Sequence, residues 1–191
     1  MNVNKKLLAL AESAVCVALA TGLSFLAVSA PFGGSITLCS TLPIIIISLR
    51  HNYKWGIGCA LTHGVVQLLF GLSNIAYLPV KNAWTIAVCL MLDYILAFTS
   101  LGLTGLIAGK FKKIYLGITV GVITTGFLRF FCSFISGITA WRGVAEEGWN
   151  AGLWSLVYNG SWCAPDVIIT LVVCLLLVNV PQLNLMPERK K

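Results

Sequence analysis

A chain of 191 residues that is 58% hydrophobic and 10% charged, with a mean hydropathy of +0.92, cannot fold as a water-soluble globule of ordinary composition. A bilayer core about 30 Å thick takes about 20 apolar residues per helix, so this length accommodates about six spans in one all-α membrane domain covering 1–191. The net charge of +7 does not point to nucleic acid, because most Lys and Arg residues sit at the ends of apolar runs, where the membrane accounts for them.

In chain order, the first apolar run extends from Leu7 to Ala30 after a short tail, 1–6, and ends at the turn sequence Pro31-Phe32-Gly33-Gly34. It is too long for a removable signal peptide and lacks the cleavage context, so it counts as helix one. Ala14 and Ala18 share one face of it, four residues apart. Small residues at that spacing let another backbone approach closely, either for docking or for packing inside the bundle. Ile36 to Leu49 forms a second, shorter span with Pro43 inside it, and Trp55 to Leu72 a third. His63 and Gln67 lie one turn apart on the third span, placed to touch a ligand or to pair across helices. A loop at 73–83 leads to a fourth span, Trp84 to Ala108, which contains Asp93 and Tyr94. The fifth runs from Ile114 to Ala140 with Arg129 inside, and the sixth from Leu153 to Val178 with Asn159 and Asp166 inside. A second tail, 181–191, closes the chain with Arg189-Lys190-Lys191. The seven cysteines fall largely within or beside apolar runs without CxxC spacing, as small core residues do.

Orientation follows from counting basic residues. Six spans put Lys5, Lys6, Arg50, Lys54, Lys110, Lys112, Lys113, Arg189, Lys190 and Lys191 on one side, against Lys81 and Arg142 on the other. Both termini are therefore expected to be cytoplasmic, with the loops at 31–35, 73–83 and 141–152 outside. Asp93, Tyr94, Ser133 and Asn159 then lie at a common depth below that outer surface, with Trp141, Trp149 and Trp154 over the same mouth. A carboxylate inside a bilayer costs roughly 3 kcal/mol on insertion scales, so each buried charge needs a cause. Arg129 and Asp166 can satisfy each other. Asp93 lacks an evident cation unless Arg129 serves it instead, and an unpartnered carboxylate suits a cationic or hydrogen-bond-donating ring held against aromatic faces, with Asn159 and Ser133 reading its substituents. Trp84, Trp149 and Trp162 fit an interfacial girdle.

Taken together, Gly33-Gly34-Ser35-Ile36-Thr37-Leu38, Leu42-Pro43, Lys54-Trp55-Gly56, Leu92-Asp93-Tyr94, Arg129-Phe130-Phe131, Phe134-Ile135-Ser136-Gly137 and Ser155-Leu156-Val157-Tyr158-Asn159-Gly160-Ser161 resemble the thiamine-specific S components of energy-coupling factor transporters. The resemblance covers nearly the whole chain. It implies a six-helix subunit of a prokaryotic cell membrane that captures a vitamin from outside. Such a subunit joins a transmembrane coupling protein and two ATPase subunits, which drive release inward. It also implies a docking face at Ala14 and Ala18, and a binding site in which Trp141 stacks on the ring while Tyr94 and Asn159 contribute to recognition. Three positions depart from the family's pattern: Asp93 stands where Glu is usual, Ser133 where His is usual, and Trp154 where Tyr is usual. Thiamine is the expected ligand, with a vitamin B6 form or hydroxymethylpyrimidine as the alternatives that such a retuned pocket would favour. No cofactor is implied, and no Walker motif is present, so ATP hydrolysis would reside in other chains. A stand-alone ion-coupled carrier would call for an inverted repeat and broken helices. An intramembrane enzyme would call for a nucleophile and base or a metal cluster. Neither pattern emerges from the sequence.

Overall fold

The computed structural model describes residues 4–186. Its six helices are α1 (Lys5–Ser24), α2 (Leu42–Arg50), α3 (Tyr53–Gly71), α4 (Ala83–Gly109), α5 (Ile114–Thr139) and α6 (Ala151–Leu177). All but α2 are long and apolar enough to cross a membrane. Their outer faces carry Leu7, Leu69, Phe127 and Leu176, each more than half exposed. Such a coat would aggregate in water and is the ordinary surface of a protein solvated by lipid. The chain is a multi-pass membrane protein.

Two elements depart from the sequence expectation. Helix α1 stops at Ser24, six residues before Ala30, and the chain turns into a β-hairpin, β1 (Ala27–Ser29) with β2 (Ser35–Thr37), paired antiparallel with Val28 opposite Ile36. The turn at Pro31–Gly34 is where the sequence places it, and Gly33 takes a φ of +100°, which suits a residue without Cβ. The β-branched Val28 and Ile36 on either side favour extended backbone, while their apolarity makes the segment read as helix. The second difference is α2, which spans nine residues instead of the fourteen from Ile36 to Leu49. Cys39 with φ +59° interrupts the lead-in, and Pro43 falls in the first helical turn, where its missing N–H costs nothing, instead of inside the helix. At roughly 14 Å this helix cannot cross a bilayer. It is an internal strut: every residue except Ile46 and Arg50 is buried.

The end of the bundle away from the hairpin is filled by Leu42, Ile45, Leu49, Ala108, Ile118, Val122 and Cys174, with Leu185 and Met186. The last two come from the expected tail, which folds back so that Met186 N–H donates to Leu49 O at 3.0 Å. Arg189, Lys190 and Lys191 lie outside the described residues. Arg50 binds Glu12 through two nitrogens, at 2.7 and 2.8 Å, and donates to the carbonyls of Gln182 and Leu183, tying α1, α2 and the C-terminal segment together. Ala14 and Ala18 lie on the exposed side of α1, whereas Ala9, Ser13 and Ala20 face inward. Packing inside this bundle is therefore not what the two alanines do.

Candidate ligand-binding site

At the hairpin end, α3 to α6 part around a cavity of about 600 Å³. That is the size of a small-molecule site. Asp93, Tyr94, Ser133, Trp141, Trp154 and Asn159 all line it, so residues up to 66 positions apart in the chain converge on one space, as 159 minus 93 gives.

Asp93 reaches the cavity from an unusual stretch of α4. Residues Leu90–Leu96 are wound as a π-helix, one residue wider per turn than the flanking α segments. Such insertions shift the helical face and recur at functional sites. The Asp93 carboxylate accepts hydrogen bonds on Oδ2 from Ser136 Oγ at 2.7 Å and from Trp141 Nε1 at 3.0 Å. These donors steady a negative charge without neutralising it. Among the described residues no Lys, Arg or His forms an ion pair with Asp93.

The bond to Asp93 fixes Trp141, which begins the turn after α5, with its ring against the cavity. Asn159 on α6 has its amide nitrogen engaged three times, by Ser155 O at 2.9 Å, Ser155 Oγ at 3.1 Å and Ser133 O at 3.3 Å. Its NH2 is thereby spent on the protein, which leaves Oδ1 as the atom that can accept from a ligand. The Ser133 hydroxyl, by contrast, has no protein partner among the described residues and can donate or accept. Tyr94 contributes its ring to the wall, while its hydroxyl is occupied, accepting from Asn74 Nδ2 at 3.1 Å and donating to Gly71 O at 3.3 Å. Trp154 meets Phe32, Trp149 and Tyr158 at centroid distances of 6.2, 5.9 and 6.1 Å.

Arg129 and Asp166 pair as the sequence suggests, with Nη1 to Oδ2 at 2.7 Å. The same guanidinium also lies 4.9 Å from the ring centroids of both Phe98 and Trp162 and borders the cavity. Sequence reasoning treated Arg129 only as a carboxylate partner, of Asp166 or of Asp93, and placed Trp162 in an interfacial girdle. The structure corrects both, because each belongs to the cavity wall. Tyr158 was overlooked as well, although it stands four residues from Trp154 and so on the same face of α6. Trp84, 72% exposed, does lie on the outer surface. His63 is fully buried, within 3.4 Å of Thr21 Oγ1 and of Gln67 Nε2, and is a packing residue; only Gln67 of that pair borders the cavity. No group of three or more His, Cys, Asp or Glu suited to a metal occurs among the described residues.

Residues 10–185 match the family described as Thiamine transporter protein (Thia_YuaJ). Thiamine transporter ThiT of Bacillus subtilis is 33% identical over 196 residues, covering 96% of this chain and 97% of the relative. The protein of the same name from Lacticaseibacillus paracasei is 26% identical over the whole of this chain and 96% of its own length. The solved structure of ThiT from Listeria monocytogenes superimposes with a TM-score of 0.74 at 26% identity, covering 94% of this chain and 98% of that one. A match over nearly the full length, carried by both sequence and fold, places this chain in the thiamine transporter family.

Proposed function

We propose that this chain is the substrate-binding S component of an energy-coupling factor importer, and that it captures thiamine in the cavity beneath the hairpin. The observation that carries this is Asp93, a carboxylate in an apolar bundle with hydrogen-bond donors but no cationic partner among the described residues, set beside Trp141. Holding such a charge unpaired in a membrane is costly. A ligand that brings a permanent positive charge on a flat ring, as the thiazolium of thiamine does, offsets that cost and stacks on the indole at the same time. The remaining wall fits the other half of the molecule: Asn159 Oδ1 accepts from an exocyclic amine, and the Ser133 hydroxyl can donate to a ring nitrogen. Arg129, with one nitrogen committed to Asp166, keeps further N–H donors for the ligand hydroxyl.

In this account both termini are cytoplasmic, and the cavity faces outward. The exposed Ala14 and Ala18 on α1 receive a transmembrane coupling protein, and two ATPase subunits supply the energy. Substituting Ala14 and Ala18 by Trp is expected to leave thiamine binding by the isolated subunit intact while abolishing uptake by cells carrying the complete transporter. Loss of binding instead would assign these positions to the fold.

Asp93, Ser133 and Trp154, the three departures from the family pattern, border the same cavity, which supports a second reading: a site retuned to hydroxymethylpyrimidine or a vitamin B6 form. Calorimetric titration of the purified protein with thiamine, pyridoxine and hydroxymethylpyrimidine separates the two. Thiamine is expected to bind tightest, one molecule per chain, with quenching of Trp fluorescence. Tighter binding of either competitor selects the second reading, and failure of all three removes the cavity as a vitamin site.

A further inference from the structure

On α6, Trp154, Tyr158, Trp162 and Asp166 recur every four residues and so form one stripe along the helix. The hairpin meets that stripe in order. Phe32 packs edge-on against Trp154, and a Cβ at Gly33 would stand 3.7 Å from Tyr158 Cε2. Gly34 lies so close to Trp162 that a Cβ there would overlap the indole. Last, Thr37 Oγ1 donates to Asp166 Oδ1 at 3.0 Å. The first three contacts are ring packing, tolerant of sliding; the fourth is directional and charge-assisted.

Thr37 is well placed for that role. Its single hydroxyl proton goes to the carboxylate, so the 2.6 Å contact with Ser40 Oγ is donated by Ser40. Asp166 is 2% exposed, and its other oxygen holds Arg129, which borders the cavity. One buried carboxylate thus joins the cavity wall to the strand that covers it. Lifting the hairpin from α6 removes a donor from a buried anion, which is unfavourable well beyond the loss of an ordinary contact.

We propose that Thr37 is a positioning residue that latches the hairpin to α6 through Asp166 and so sets how long a ligand stays in the cavity. The inference rests on the cavity being the thiamine site. Thr37→Val keeps the shape and removes the donor, while Thr37→Ser keeps the donor. In stopped-flow Trp fluorescence on the purified protein, thiamine is expected to leave Thr37→Val about tenfold faster, with association changed less than about twofold and Thr37→Ser close to wild type. An unchanged dissociation rate, or a weakening carried wholly by slower association, overturns the latch. Amide hydrogen exchange on the ligand-free protein decides the matter without thiamine. Thr37→Val should speed exchange at Ala30 and Leu38, whose N–H groups bond Gly34 O and Leu26 O in the hairpin, and leave α5 unchanged. If the wild type does not bind thiamine, the proposed function falls while exchange still tests the latch: equal protection in the hairpin of both proteins overturns it.

Discussion

The two ends of the bundle treat buried polarity in opposite ways. Away from the hairpin, Leu42, Ile45, Leu49, Ile118 and Val122 close over one another, and the polar side chains among them are satisfied internally. Ser48 Oγ donates to Gly102 O at 2.6 Å and accepts from Gly105 N–H at 2.8 Å, and Thr104 shares a 3.0 Å bond with Thr125. At the hairpin end the helices part, and Asp93, Ser133 and Asn159 each keep bonding capacity that the protein does not use. The two aspartates inside the bundle, Asp166 buried and Asp93 half-buried, make the contrast sharpest. Asp166 is balanced by Arg129 and Thr37, so its charge is spent on architecture. Among the described residues Asp93 has only neutral donors, and its charge remains available. Away from the cavity the buried polar side chains among the described residues are paired apart from the Ser13 and Thr99 hydroxyls, whereas at the hairpin end three incomplete groups gather around one space of ligand size, the mark of a site awaiting a ligand.

That contrast can be broken from either side. The largest effect is expected from Trp141→Ala, which removes a stacking surface and a hydrogen bond to Asp93 together; calorimetry should show thiamine binding weakened about a hundredfold. A sharper variant is Asp93→Asn, which keeps an acceptor and nearly the same shape but discards the charge. Thiamine affinity should fall more than about tenfold, while binding of the neutral hydroxymethylpyrimidine should change less than about threefold. Equal losses for both ligands would mean that Asp93 acts by shape and not by charge. The smallest effect should come from the closed end: Ile118→Val is expected to lower stability by about 1 kcal/mol, seen as a lower thermal midpoint in detergent, with thiamine affinity unchanged.

Much of this was legible from residue types alone. The long helices follow from apolar run length, and the Arg129–Asp166 pair from the expense of two unpaired charges in lipid. The convergence of Asp93, Trp141 and Asn159 was accessible because orientation and span lengths put Asp93 and Asn159 at one depth and Trp141 over the same mouth. What escaped has identifiable causes. The hairpin was hidden because Val28 and Ile36 are as apolar as helix residues, and hydropathy does not distinguish a strand from a span. The shortness of α2 was hidden because a run of isoleucines buried in protein looks the same as one facing lipid. The roles of Arg129 and Trp162 in the cavity wall depend on side-chain directions around α5 and α6, and the π segment in α4 changes such directions without any mark in composition.

The central claim is that the cavity beneath the hairpin holds thiamine with its cationic ring against Asp93 and Trp141. A crystal structure of the purified protein with thiamine tests this directly. The account predicts one thiamine in that cavity, with the thiazolium next to the Asp93 carboxylate and an aromatic ring stacked on Trp141. Thiamine bound elsewhere on the bundle, or seated in the cavity with the thiazolium turned away from Asp93, would contradict it.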